Sequence, residues 1–284
     1  MYVVTGATGS LGRLVVEGLL AEVPAERIAA VARDGRKAAD LAARGVEVRV
    51  ADYDDPASLK DAFGAGERVL FVSGSEVGRR VPQHAAVVAA AREAGVGLLA
   101  YTSVLGGPAA DFELAREHQV TEQAILDSGL PYVFLRNGWY HEVYTGNLGP
   151  VLAHDAVVGS AGEGRVASAA RADYAAAAVA VLTGTGHENT AYELSGDVAW
   201  SFAEYAAELS RQTGREIVYS NVPADAYREI LVGAGVPAPF ADVLVDVDAA
   251  ISRGLLATVT GDLSRLIGRP TTPIADSIAA ALKA

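Results

Sequence analysis

The chain has 284 residues, is 51% hydrophobic and carries a formal net charge of -12. That length buries a sizeable core and that apolar content excludes a disordered chain, while the negative surface disfavours a nucleic-acid partner by repelling its phosphate backbone. There is no cysteine, which excludes disulfides, thiolate metal sites and cysteine nucleophiles.

Tyr2-Val3-Val4 is a short β-prone run that stops at Thr5-Gly6-Ala7-Thr8-Gly9-Ser10-Leu11-Gly12, and a helical pattern then continues to about Glu22. The spacing is Gly-x-x-Gly-x-x-Gly rather than the Gly-x-Gly-x-x-Gly dinucleotide fingerprint. Its placement between a strand and a helix still gives each glycine a task. Gly6 permits a tight turn, Gly9 bares backbone to a ligand, and Gly12 lets the helix sit close to the strand. The free N–H groups and positive end of that helix make a site for a pyrophosphate.

A second strand, Ile28 to Ala32, ends on Arg33-Asp34-Gly35-Arg36-Lys37. An acidic residue at this position binds the ribose 2′-OH of NAD, whereas an arginine accommodates the extra phosphate of NADP. Arg33 stands first, so NADP(H) is the expected cofactor, with Asp34 keeping NAD as the lesser alternative. After a helix through Leu41, the strand Val46 to Val50 ends on Asp52-Tyr53-Asp54-Asp55-Pro56. Asp52 and Tyr53 are candidate adenine contacts, and Asp55-Pro56 suits a helix cap followed by a first helical residue.

The fourth strand, Val69 to Val72, ends on Ser73-Gly74-Ser75, a small polar run able to pass close to a cofactor ribose. A helix from about Val81 to Ala94 leads to Leu98-Leu99-Ala100-Tyr101 and a strand end at Thr102-Ser103. Another, from Leu114 to Ser128, leads to Tyr132 to Leu135, ending on Arg136-Asn137-Gly138-Trp139-Tyr140. Six such strand–helix units predict a doubly wound, open parallel sheet of Rossmann type. Its polar strand ends converge on one crevice.

Beyond residue 150 the alternation breaks. Asp155 to Val166 reads as a loop or hairpin, Arg171 to Leu182 as an alanine-rich helix, and Tyr192 to Leu194 as a short strand. Ser201-Phe202-Ala203-Glu204 has capping-box spacing ahead of a helix to Gln212. A strand at Ile217 to Tyr219 and helices around Ala224 to Gly233 and Phe240 to Ser252 follow, with a tail from Leu263 to Leu282. The expected organisation is a Rossmann domain over 1–150 and a smaller, discontinuous substrate lobe over 151–284. No basic, apolar-cored leader and no run of membrane-span length is present, so a cytoplasmic protein without membrane insertion is expected.

Ordinary short-chain dehydrogenases protonate the reduced oxygen with a Tyr-x-x-x-Lys pair. Here Tyr101 is followed four on by Leu105, Tyr140 by Tyr144 and Tyr174 by Ala178; only Tyr132, at a strand start, has a basic residue, Arg136. A hydroquinone oxygen, like the tyrosine phenol, has a pKa near 10, against ~15.7 for water. The gap of roughly 5–6 units is about 7–8 kcal/mol that an acid need not supply. Quinones are also flat, which suits the aromatic pair Trp139-Tyr140. His84, His118, His141, His154 and His187 lack metal-ligand spacing. His118 with Glu122, one helical turn apart, reads as a solvated face. His141 reads either as a pocket-lining residue or as a surface-loop histidine.

These segments, with Ser75-Glu76-Val77-Gly78, Arg171-Ala172-Asp173-Tyr174 and Leu266-Ile267-Gly268-Arg269-Pro270-Thr271-Thr272, resemble the NmrA-like atypical short-chain dehydrogenases over nearly the whole chain. Within that group the nearest likeness is to bacterial flavin-free NADPH:quinone reductases. The resemblance implies direct hydride transfer from NADPH to a quinone. It implies pyrophosphate contacts at Gly6, Ala7, Thr8, Gly9, Ser10 and Leu11, with Arg33 on the 2′-phosphate. Ser73, Gly74 and Ser75 fall along the ribose, and Gly138 to Val143 and Arg171 near cofactor and substrate. Thr102 and Ser103 join the cofactor candidates as strand-end residues; Asn137, Trp139 and Tyr140 are the catalytic candidates, and no metal is expected. A small-molecule quinone is the expected partner, and a homodimer is left open. The alternatives are an NADP(H)-binding redox sensor without turnover and a reductase of another conjugated acceptor.

Overall fold

The computed structural model describes residues 1–146 and 148–283. β1 (Tyr2–Val4), α1 (Ser10–Glu22), β2 (Ile28–Ala32), α2 (Ala39–Ala43), β3 (Glu47–Val50), β4 (Arg68–Phe71), α3 (Arg80–Ala94), β5 (Leu98–Val104), α4 (Glu113–Ser128) and β6 (Tyr132–Asn137) follow in the expected order. The inner strands β1, β2, β4 and β5 are largely apolar on both faces, as a sheet covered by helices on both sides requires, whereas the edge strand β3 alternates Glu47 and Arg49 with valines. Alternation sorts their side chains into two layers. Val4, Leu70, Ala100, Val133 and Leu135 pack with α1 on one face, and Val3, Val69, Phe71, Leu99, Tyr101 and Phe134 with α3 on the other.

The chain then runs through α5 (His141–Thr145), α6 (Gly149–His154), β7 (Ala156–Gly159), β8 (Arg165–Val166), α7 (Arg171–Thr183), β9 (Thr190–Leu194) and β10 (Trp200–Ser201). It ends with α8 (Phe202–Thr213), β11 (Val218–Asn221), α9 (Ala224–Gly233), α10 (Ala238–Ser252), α11 (Asp262–Ile267) and α12 (Ile274–Ala281). Among the described residues the main sheet is parallel throughout, in the order β3-β2-β1-β4-β5-β6-β9. The chain builds outward from β1 to β3 and then returns to the other side of β1. That reversal places a topological switch point between β1 and β4, where a crevice opens beyond the strand ends.

Several expectations are corrected. Tyr192 to Leu194 lies in the seventh strand of the main sheet, beside β6, and α7 packs on α1. Residues 171–194 thus return to the sheet layers, and a single cut at 150 does not divide the chain. The stretch 155–166 forms no hairpin: β7 pairs with β11 in parallel and β8 with β10 antiparallel. Asp55 caps no helix. It accepts the Ala57 N–H in a turn ahead of a single 3₁₀ turn at Ser58–Asp61.

β7, β8, β10, α8, α10 and α12 share a second core, rich in aromatic rings, in which Tyr144 meets Trp200, Phe202 and Tyr205, while α11 packs on α7 and β9. The tail is tied back to the sheet layers. Fully buried Asp173 on α7 accepts from Arg269 at 2.6 Å and from the Thr272 N–H at 2.7 Å. This joins the Arg-Ala-Asp-Tyr and Gly-Arg-Pro-Thr-Thr segments through one carboxylate.

Candidate functional site

A cleft of about 390 Å³ opens at the switch point, lined by the turn before α1 and by the ends of β2, β3 and β4. Gly6 sits at φ +58°, and its carbonyl accepts the Gly9 N–H at 2.9 Å. A methyl group at Gly12 would overlap the Gly6 carbonyl, so only glycine lets α1 start this close to the turn. Gly9 caps α1 without a side-chain hydrogen bond, and the first turn has no acidic residue. The N–H groups and positive dipole end of α1 therefore face the cleft uncompensated, which suits a pyrophosphate. Gly6, Thr8, Gly9, Ser10 and Leu11 line it; Ala7 is fully buried with its N–H on Val31.

The residues after β2 separate into two roles. Arg33 and Lys37 line the cleft, Arg33 lying 3.3 Å from Glu76 and largely exposed. Asp34 is engaged elsewhere: it accepts from the Arg36 N–H at 3.0 Å and from the Arg36 guanidinium at 2.8 Å. Those bonds hold its carboxyl below the usual carboxylate range. The acidic group that would bind a 2′-OH is thus committed to a local turn, and two cations remain at the cleft's end. That arrangement fits a 2′-phosphate.

Asp52, Tyr53, Ser73, Gly74 and Ser75 also line the cleft. The Tyr53 hydroxyl lies 2.5 Å from the Thr5 hydroxyl and 2.9 Å from the Val72 carbonyl, and burial pushes its pKa up. Thr102 and Ser103 do not line the cleft. β5 continues to Val104, so both are buried within a strand. Thr102 accepts the Ser73 N–H at 2.9 Å, and Ser103 donates to Glu122 at 2.6 Å.

The catalytic candidates stand outside the cleft lining, at the end of β6. That strand is two places from β4 in the sheet, about 10 Å away at normal strand spacing. Asn137 is buried; its amide N–H donates to the Tyr140 hydroxyl at 3.3 Å, and its Oδ1 has no hydrogen-bond partner. The Arg171 guanidinium lies 5.0 Å over the Tyr140 ring, and Tyr174 meets that ring edge-on. Burial raises the Tyr140 pKa, offset by the Asn137 hydrogen bond and the Arg171 charge. Glu142 holds the Arg171 N–H at the start of α7, and Gly138 donates to the Leu194 carbonyl at 2.7 Å. Trp139 and Tyr140 do not form one aromatic wall: Tyr140 packs on the sheet core and Trp139 on the second core.

The NAD(P)H-binding family model matches residues 6–185, which span the glycine turn, both sides of the cleft and α7. This chain belongs to the NAD(P)H-binding family. It is 46% identical to quinone oxidoreductase 2 of Escherichia coli, over 98% of this chain and 97% of that protein. The solved structure of the Escherichia coli NADPH-dependent quinone oxidoreductase complexed with NADPH covers 99% of this chain and 100% of its own, with TM-score 0.96. Triphenylmethane reductase of Citrobacter sp. complexed with NADP(H) aligns at 41% identity and TM-score 0.95, over 99% of this chain and 100% of that one.

In this member of the family, several polar residues near the cleft were not evident from sequence. Gln83 lines the cleft and donates to Asp54 at 3.1 Å. His118 and Glu122 form no solvated face. Both are buried, His118 on the Tyr101 hydroxyl at 2.7 Å and Glu122 on Ser103 and Arg136. His141 neither lines the cleft nor sits on a surface loop. It is buried, its Nε2 donating to the Ser168 carbonyl and its Nδ1 accepting from Ser277. Desolvation lowers the pKa of His118 and His141, which keeps them neutral. No cluster of three metal-ligating side chains occurs among the described residues.

Proposed function

We propose that the protein is a flavin-free oxidoreductase that transfers a hydride from NADPH to a quinone. The observation that carries this reading is a full-length 46% identity to quinone oxidoreductase 2, joined to a cleft in which Asp34 is occupied while Arg33 and Lys37 face the nucleotide end. Bound NADPH supplies the hydride. The turn at Gly6 to Leu11 and the start of α1 hold the pyrophosphate. Arg33, helped by Lys37, holds the 2′-phosphate, and Asp52 and Tyr53 flank the adenine. Ser73 to Ser75 follow the ribose, and Gly138 and Arg171 border the nicotinamide end. The orphaned Asn137 Oδ1 calls for an N–H or O–H donor, which fits a carboxamide or a reduced quinone.

Tyr140 remains protonated at neutral pH and accepts from Asn137, so its own proton is available to a reduced oxygen nearby. Binding and orientation do most of the work, because a hydroquinone anion needs little acid catalysis. The same reading makes the partner a small quinone and the location cytoplasmic, without nucleic acid, and leaves a homodimer open. Among the described residues no helix is long and apolar enough to cross a membrane. The likeness to a triphenylmethane reductase favours one second reading, a conjugated dye as acceptor on the same site.

The test is NADPH absorbance with benzoquinone added to protein shown spectrally to carry no flavin. Rapid oxidation, slower with NADH, is expected; NADPH binding without oxidation across a panel of quinones would turn the reading into a redox sensor. Arg33→Ala should weaken NADPH about 10–100-fold, the loss of one or more charge-assisted hydrogen bonds, and leave NADH nearly unchanged. Equal losses for both nucleotides would remove Arg33 from the 2′-phosphate.

A further inference from the structure

The wall of the cleft that leaves β4 has its backbone held by side chains from four other elements or turns. The Val72 N–H donates to Thr5 at 3.0 Å, and the Val72 carbonyl accepts from Tyr53. The Ser73 N–H donates to Thr102. Gly74 is held on both of its polar groups by α3: its N–H donates to His84 Nε2 at 3.0 Å, and its carbonyl accepts from Arg80 Nε at 2.6 Å. Arg80 and His84 are four residues apart and so share one face of that helix. Neither lines the cleft, while Gly74 and Gln83, between them in sequence on α3, do.

His84 is fixed in one tautomer by its neighbours. A backbone N–H can only donate, so Nε2 carries no proton. Nδ1 lies 2.8 Å from the Thr121 hydroxyl, whose own proton goes to the Glu117 carbonyl at 2.8 Å, so Nδ1–H is the donor there. Phe71 and Tyr101 pack edge-on against the ring, which is 1% exposed. Burial and the Arg80 charge push its pKa down to about 3, so the acceptor persists through the working range of pH. Arg80 is 8% exposed, and Glu117, 3.8 Å from its Nη1, also takes the Gly78 N–H at 3.0 Å. The clamp therefore extends from Gly74 to the far end of the 75–78 turn.

We propose that His84 and Arg80 are positioning residues for the cofactor, holding the Gly74 peptide so that the Ser73–Ser75 wall stands in its binding form before the nucleotide arrives. The inference rests on the reading of the cleft as the NADPH site. Without the clamp, the segment must be ordered at the moment of binding, and that cost appears in cofactor affinity rather than in quinone affinity.

The test uses the whole chain and NADPH fluorescence, which reports binding without turnover. His84→Phe keeps a ring but no acceptor, and should weaken NADPH about tenfold while the quinone KM stays within about twofold. His84→Gln, which restores an acceptor, should recover most of the loss. Arg80→Met and Arg80→Lys form a second pair with the same expected order. Unchanged NADPH affinity in folded His84→Phe or Arg80→Met would overturn the proposal, as would an equal loss in both members of a pair. In the unaltered protein, which needs no variant to fold, hydrogen exchange at the Gly74 amide should be slow without nucleotide. Fast exchange that slows only on adding NADPH would overturn pre-ordering. An unaltered protein that fails to bind NADPH at all would instead overturn the reading of the cleft.

Discussion

Asp248, on α10, is buried, and among the described residues no cation pairs with it; its Oδ2 accepts the Ser160 N–H at 2.7 Å and the Ser160 hydroxyl at 3.3 Å. Desolvation outweighs those bonds and raises its pKa to about 6. The unfolded chain has an ordinary value near 3.9. A carboxyl whose pKa is raised on folding contributes fully to stability below about pH 3.9 and loses that contribution as pH rises through 6. At pH 7.5 the buried anion costs at most about 3 kcal/mol, roughly two units at 1.36 kcal/mol each. Asp248→Asn can keep the bond from the Ser160 N–H on its amide oxygen while removing the charge. The variant should melt several degrees higher than the parent at pH 7.5 and within about a degree of it at pH 4. An equal change at both pH values would show that the anion is not what the substitution removes.

Elements were legible where a local pattern fixes them. Ser201 accepts the Glu204 N–H at 3.3 Å and Glu204 accepts the Ser201 N–H at 3.0 Å, the reciprocal pair that four residues of sequence announce. Ser201→Ala should cost about 1 kcal/mol and lower the melting temperature by roughly 2–4 °C, read by circular dichroism. No loss would mean that Arg165, which also grips Glu204, holds the end of α8 alone. The glycine turn, the order of the first six strands and the Arg33 position were legible for the same reason, since each depends on neighbours within a few residues. Thr102 and Ser103 were misplaced because nothing in the residues themselves shows that β5 continues past them to Val104. His118 and Glu122 looked like a solvated turn because their partners, Tyr101, Ser103 and Arg136, lie 14 to 19 positions away. β9 was placed in the lobe because the connection that returns it to the sheet is a tertiary event. A buried polar residue carries no local mark of the partner that satisfies it.

At the scale of the whole molecule, those buried polar residues set the pH range in which the fold persists. His84 holds the cofactor wall, His118 ties α4 to β5 through Tyr101, and His141 joins α12 to the strap before α7 through Ser277 and Ser168. All three have pKa values lowered by desolvation, His84 to about 3. In the unfolded chain each titrates near 6.5. Below that value the unfolded state takes up protons that the native state refuses, so stability is full above about pH 6.5 and falls as pH drops toward the folded values. Asp248 works in the opposite sense between about 3.9 and 6, taking a proton in the native state first. The three imidazoles outnumber that one carboxyl, so near pH 5 the unfolded chain takes up more protons than the native state and stability falls as pH drops. Urea midpoints at pH 7, 6 and 5 should fall steadily, with proton uptake on unfolding seen by potentiometry. Saturating NADPH should raise stability at every pH, by about 2.7 kcal/mol at a hundred times its Kd, without changing the pH trend, because His84 is already neutral in the free protein. Midpoints that do not move between pH 7 and 5 would mean that these imidazoles take up protons in the native state, and the tautomers that join cleft, helices and tail would have to be redrawn.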